Sequence, residues 1–180
     1  MTPREALLII DMQVNQFDPA HPVAGGEDLL GKVRGLIARA RDAQTPVVFV
    51  RHCGGPADPD VKGTEGWQLH PALQPGPDEL VLDKTTCDTF ESTALGDELA
   101  ARDVTRVVIA GVQSDYCIRE TSLGAIARGL EVLLVEDGHS TCPGKERSAA
   151  ELSAAVNAEL AGRAELVRAA EVQFGAGVTK

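Results

Sequence analysis

Short apolar runs at residues 6–10, 47–50, 107–110 and 130–135 set the terms for this chain's fold. Each is rich in Val, Ile and Leu, holds no polar residue apart from Glu131, and stops at an acid, a glycine or a polar turn. Uninterrupted runs of this length are typical of strands buried on both faces, as in a parallel sheet covered by helices. Two weaker runs, 80–82 and 165–168, complete a set of six. Helical patterns lie between most of them. Leu29, Val33, Leu36, Ile37 and Ala40 recur at helical spacing, as do Ala149, Leu152, Val156 and Leu160, and Leu95 with Leu99 marks a shorter helix. Strands joined through helices run parallel, and right-handed crossovers put the helices on both faces. The expectation is an α/β fold: a three-layer, doubly wound, six-stranded parallel sheet in the order 3-2-1-4-5-6, forming one domain over residues 1–180.

Such a sheet binds ligands beyond the carboxyl ends of its strands, where the winding reverses. Here that point lies between strands 1 and 4. Asp11 ends strand 1. Strand 4 ends at Gly111, and the polar turn 113–116 leads to Cys117, where a helix is expected to begin and run to a left-handed cap at Gly129. Unpaired N–H groups at a helix start carry partial positive charge, which lowers a thiol's pKa and can hold an oxyanion. Cys117 is therefore expected to ionise below an ordinary thiol. Lys84 follows strand 3 on the same edge. An acid, an ammonium and a thiol suit acyl transfer: Asp11 takes and returns a proton if burial raises its pKa, and Lys84 steadies both anions. Singly, an Asp or Lys at a strand end is usually a cap or a solvated residue, so the weight rests on their convergence.

Charge narrows the partners. Seventeen basic against 27 acidic residues give a net charge of −10, which disfavours nucleic acid and anionic membranes. The apolar runs are too short to span a bilayer. The opening MTPREALLIID lacks the layout of a secretory signal, so a cytoplasmic location is expected. Cys53, Cys87, Cys117 and Cys142 are well separated and form no CxxC pair, which argues against disulfides and against a zinc site. No cofactor is expected, and the partner is a small-molecule substrate.

Three ordered segments carry a family resemblance: ALLIIDMQ with Phe17 beyond it, DKTTCDTFESTAL, and VVIAGVQSDYCIRETSLGAIARG followed by VLLVEDGHST. Over nearly its whole length the chain resembles the isochorismatase-like cysteine hydrolases, a group that includes nicotinamidases, N-carbamoylsarcosine amidases and streptothricin hydrolases. The resemblance implies Cys117 as nucleophile, Asp11 as general base and acid, and Lys84 as third member. It also implies a non-proline cis peptide at Val112–Gln113, an oxyanion hole from the backbone N–H groups of Gln113 and Cys117, and a homo-oligomer. The activity it implies is hydrolysis of a small amide, lactam or ureido C–N bond through a thioester. The alternatives are an isochorismatase-type vinyl-ether hydrolase without covalent catalysis, although true isochorismatases lack the cysteine, and a redox-sensing thiol protein.

Departures from the family pattern bear on the substrate. The metal-dependent nicotinamidases carry Asp-x-His at the exit of the second strand, where this chain has Val50-Arg51-His52-Cys53. No metal is expected, and His52 and His70 are taken as hydrogen-bonded loop histidines. Asp88 stands where the family usually has a small residue, and a helix cap is the simplest reading. Phe17, Trp67, Phe90 and Tyr116 are the candidate substrate-pocket walls. Trp67 lies in the Gly-rich loop GTEGWQLHP, part of the long connection 51–78, and that loop is a candidate lid over the site.

Overall fold

In the computed structural model, which describes residues 4–175, every strand pairing of the central sheet is parallel. The strands are β1 (Glu5–Ile10), β2 (Val47–His52), β3 (Leu80–Lys84), β4 (Arg106–Val112), β5 (Glu131–Ser140) and β6 (Glu165–Val167). Their order is β3-β2-β1-β4-β5-β6, as the sequence pattern requires. Side chains alternate across β1. Leu7 and Ile9 join Val33, Leu36 and Ile37 of α1 (Gly26–Asp42) on one face. Ala6, Leu8 and Ile10 face the other way and pack with Leu99 of α3 (Leu95–Ala100), Ala125 of α4 (Arg119–Ala127) and Val156 and Leu160 of α5 (Ala149–Leu160). Burying both faces excludes water from the middle of the sheet, and polar side chains can emerge only at the strand ends. Phe49 is fully enclosed and Phe174 packs against the same core. Among the described residues, no helix is long and apolar enough to cross a membrane.

Element boundaries differ from the sequence expectation in ways that matter for the site. Strands β2 and β3 run on to His52 and Lys84, so Lys84 is the last residue of a strand and not part of the loop after it. A short helix α2 (Thr89–Ser92) precedes α3, separated from it by extended backbone at Thr93. The helix expected to start at Cys117 begins instead as a wide π-type turn, Ser114–Ile118, which leads into α4. Gln113 C=O accepts from both Tyr116 N–H and Ile118 N–H across that turn. Gly129 caps α4 in the left-handed region, φ 79°. Strand β5 does not stop at Val135. Its register with β4 breaks between Ile109 and Gly111, and residues 135–138 make an excursion before His139 and Ser140 pair with Gly111 and Val112. Of the tail GAGVTK, all but Gly175 lies outside the described residues.

Candidate active site

Three residues meet at the carboxyl edge of the sheet, near its central strands. Lys84 Nζ lies 3.0 Å from Asp11 Oδ2 and 3.1 Å from Cys117 Sγ, and it also donates to Thr86 C=O at 3.0 Å. Lys84 is fully buried, Asp11 is 2% exposed and Cys117 8%. The fold makes this meeting possible because β1 lies directly between β2 and β4, with β3 one strand further out. Asp11 adopts a left-handed backbone (φ 50°), turning the chain out of the sheet just past β1. Gly111 permits the close approach of β4: a Cβ there would sit 2.1 Å from Ile10 C=O. The peptide bond Val112–Gln113 is cis, as the resemblance implies.

Electrostatics within the cluster follow from burial. Desolvation pushes the Asp11 carboxyl above its ordinary range, against the downward pull of Lys84. Desolvation also works against the charge on Lys84, but the neighbouring Asp11 and Cys117 outweigh it and the net shift is upward. Cys117 is pushed well up, first by burial and then by the negative charge of Asp11, with Lys84 opposing. The expectation of a thiol that ionises readily is therefore corrected. One buried ammonium can balance one anion, and a second anion in the same dry space is strongly disfavoured. The cluster thus favours a single negative charge beside Lys84. Asp11 Oδ1 is enclosed and has no hydrogen-bond partner. A buried acceptor left open costs on the order of 1–3 kcal/mol, and such sites in native proteins commonly mark function.

The candidate pocket residues are distributed unevenly. Phe17 is half-buried and its ring packs at a tilt of 58° against that of His70, centroids 4.7 Å apart. Phe90 is buried in the same apolar cluster as Cys117, with the Arg128 guanidinium 4.7 Å from its ring. Tyr116, although adjacent to Cys117 in the chain, is 56% exposed. Trp67 is buried, with the Arg51 guanidinium 3.7 Å from its ring centroid. A cavity of about 570 Å³ lined by Asn15, Phe17, Asp18, Glu65, Gly66 and His70 opens beside Phe17, and none of Asp11, Lys84 and Cys117 lines it. Cys53, Cys87 and Cys142 are partly buried free thiols.

The two loop histidines have local partners. His52 Nδ1 lies 2.7 Å from Asp60 Oδ2, and His70 Nδ1 accepts from Ala72 N–H at 3.2 Å. Asp88 is the N-cap of α2, accepting from Phe90 N–H at 2.9 Å. Its carboxylate fills the space that a side chain at position 124 would need, since a Cβ on Gly124 would come within 2.4 Å of it. Asp88→Ala is expected to lower stability by about 1 kcal/mol, the usual worth of such a cap, and to leave turnover intact. Thermal unfolding and a rate assay on the purified variant check both halves.

Two features escaped the sequence reading. Gln13 is fully buried and wires three segments together: its Nε2 donates to the carbonyls of His52 and Trp67 (2.9 Å each), and its Oε1 accepts from His52 N–H at 2.8 Å. The motif IIDMQ contains it, but nothing in the spacing reveals that its amide closes the long 51–78 connection onto β1. The second feature is a buried polar chain around His139, taken up below.

Comparison with known proteins agrees with this fold. The isochorismatase domain family matches residues 5–165. The chain belongs to the isochorismatase family. A streptothricin hydrolase of Streptomyces noursei is 39% identical over 137 residues, 76% of this chain and 50% of that protein. This isochorismatase-family chain thus spans about half the length of that curated relative. Nicotinamidase 3 of Arabidopsis thaliana is 31% identical over 153 residues, covering 76% of this chain and 73% of that protein. The crystal structure of an isochorismatase family protein superposes with a TM-score of 0.84 at 30% identity, covering 92% of this chain and 97% of that one.

Proposed function

We propose that the chain is a cysteine-dependent hydrolase of a small-molecule amide, lactam or ureido C–N bond, working through a thioester on Cys117. The observation that carries this reading is the buried Lys84 ammonium, in contact at once with a carboxylate and a thiol. The relatives named streptothricin hydrolase and nicotinamidase support the bond class.

The proposed sequence conserves charge at each step. Asp11 takes the thiol proton through its open Oδ1 as Cys117 Sγ attacks the carbonyl carbon. A C–S bond forms and the carbonyl oxygen becomes an oxyanion, held by the N–H groups of Gln113 and Cys117. Collapse breaks the C–N bond, and the proton on Asp11 goes to the departing nitrogen. Water then attacks the thioester and gives a proton to Asp11. The C–S bond breaks, the acid leaves, and Asp11 returns its proton to sulfur. Lys84 stays positive throughout and balances whichever partner is anionic. Phe17, Trp67, Phe90 and Tyr116 are the proposed substrate walls, and the working unit is proposed to be a homo-oligomer.

An ammonia-release screen over nicotinamide, carbamoyl compounds and ureas, with ring opening of lactams followed separately, tests the reading beside a Cys117→Ala control. Acid-quenched samples are weighed by intact-protein mass spectrometry. The expected result is turnover that depends on Cys117, with an acyl adduct on that residue. Equal turnover by both proteins on every hit sinks the thioester and returns the question to a non-covalent hydrolase.

A further inference from the structure

We infer that Ser114 and His139 are positioning residues for the turn that carries Gln113 and Cys117, acting through a buried one-way chain of hydrogen bonds behind the active site; this rests on the thioester reading above.

The chain's direction follows from its far end. Asn157 Nδ2 donates to Glu136 C=O at 2.9 Å, so its Oδ1 is the atom presented to His139 Nε2, also at 2.9 Å. Nε2 must then carry the ring proton, and Nδ1 is left with a lone pair. Ser114 Oγ lies 2.7 Å from that Nδ1 and donates to it. The remaining acceptor capacity of Ser114 Oγ takes the hydroxyl of Ser153 at 2.8 Å. Each link fixes the next, and no member is free to turn round. Burial holds His139 in the neutral form that this pattern needs.

The placement is specific to the reacting turn. Ser114 is the residue after Gln113 and opens the π-type turn that ends just past Cys117. His139 reaches it only because the excursion in β5 returns the strand to register opposite Gly111. Two residues further on, Thr141 Oγ1 donates to Asp115 Oδ1 at 2.7 Å, a second tie from the same segment to the same turn. Serine, histidine and asparagine in series resemble a nucleophile with its base and orienter. Ser114 is fully enclosed, so no substrate carbonyl reaches its hydroxyl, and the cavity of about 360 Å³ that His139 and Ser153 line is not lined by Asp11, Lys84 or Cys117. An apolar filling of this space would pack as well but would not fix direction, whereas a fully satisfied polar chain does.

Oxyanion donors work only when aimed, and a displacement of about 1 Å can cost on the order of 100-fold in rate. Alkylation of a thiol by iodoacetamide develops no oxyanion and does not need them. The test therefore compares p-nitrophenolate release from p-nitrophenyl acetate with iodoacetamide alkylation of Cys117, in the full chain. Ser114→Ala and His139→Leu are each expected to lower kcat for the ester by roughly 10- to 100-fold, with KM and the alkylation rate within about twofold of the unsubstituted protein. In His139→Asn, the side-chain oxygen stands near the lost Nδ1 and can accept from Ser114, so kcat is expected to recover most of the loss. Unchanged kcat in Ser114→Ala, a parallel fall of hydrolysis and alkylation, or an Asn variant as slow as the Leu variant overturns the inference. Ester hydrolysis no faster than in Cys117→Ala brings down the cysteine reading itself, and is told apart by that control.

Discussion

Asp11→Asn is expected to abolish hydrolysis while leaving Cys117 reactive. The loss of turnover should approach 10⁴-fold, the upper range for a positioned acid–base group, because asparagine can neither take the thiol proton nor deliver one to the leaving nitrogen. The thiol should move the other way. Cys117 is held up by burial and, next, by the negative charge on Asp11, while Lys84 pulls it down. Removing the carboxylate charge leaves the ammonium at 3.1 Å unopposed and makes thiolate easier to form. Iodoacetamide should therefore alkylate Cys117 faster in the variant than in the unsubstituted protein near neutral pH, and the alkylation–pH curve should shift to lower pH. This separation is diagnostic. A carboxylate that merely supported the fold would, on removal, slow both reactions together. That parallel loss, or retained turnover, would end the proton-shuttle role given to Asp11.

The sequence carried the sheet because its information there is local and redundant. The runs containing Leu7 to Ile9, Val47 to Val50 and Val107 to Ala110 are unbroken and apolar, and helical spacing between them leaves few topologies. Asp11, Lys84 and Cys117 could be named because a strand end is a coarse address, and the strand order brings those addresses together. What could not be read was anything set by enclosure. The thiol's upward shift depends on how dry the cluster is and on which charge lies nearest, neither of which spacing encodes. The β5 excursion was hidden for a related reason. Glu136, Asp137 and Gly138 have the composition of a strand terminus, yet Asp137 accepts from Ala169 N–H at 2.6 Å and the strand runs on, pairing again with β4 at His139. Trp67 in a glycine-rich loop suggested a lid, and only the structure reveals Arg51 covering its ring and Gln13 anchoring its carbonyl.

Lys84→Met is expected to produce the largest loss of stability at the site, and one that grows with pH. The side chain is fully buried, and methionine is similar in bulk, so the effect is electrostatic and not a cavity. Breaking a buried ion pair by removing one partner typically costs about 3–5 kcal/mol, less whatever is recovered when the stranded group neutralises. The sign follows from Asp11, whose folded pKa is already raised by desolvation against the pull of Lys84. A carboxyl with a raised folded pKa contributes stability that is full below its unfolded pKa and is lost as pH rises through the folded value. Without Lys84 that folded value climbs further, so the loss extends from the carboxylate range into neutral pH. Lys84 itself, with a raised folded pKa, would have kept its contribution until well into the alkaline range. The deficit of the variant should therefore grow as pH rises from the acid side and approach about 3 kcal/mol once Asp11 is ionised in the unfolded chain, equivalent to roughly 6–12 °C in Tm for a chain of this size. Turnover should fall by a further, separate factor of about 10²–10³ as the oriented charge is lost. Adding Asp11→Asn to Lys84→Met removes the titrating group and should flatten the pH dependence of the deficit. A deficit that does not grow as pH rises from the acid side, or a double variant that keeps the slope, would place its origin outside the Asp11–Lys84 pair.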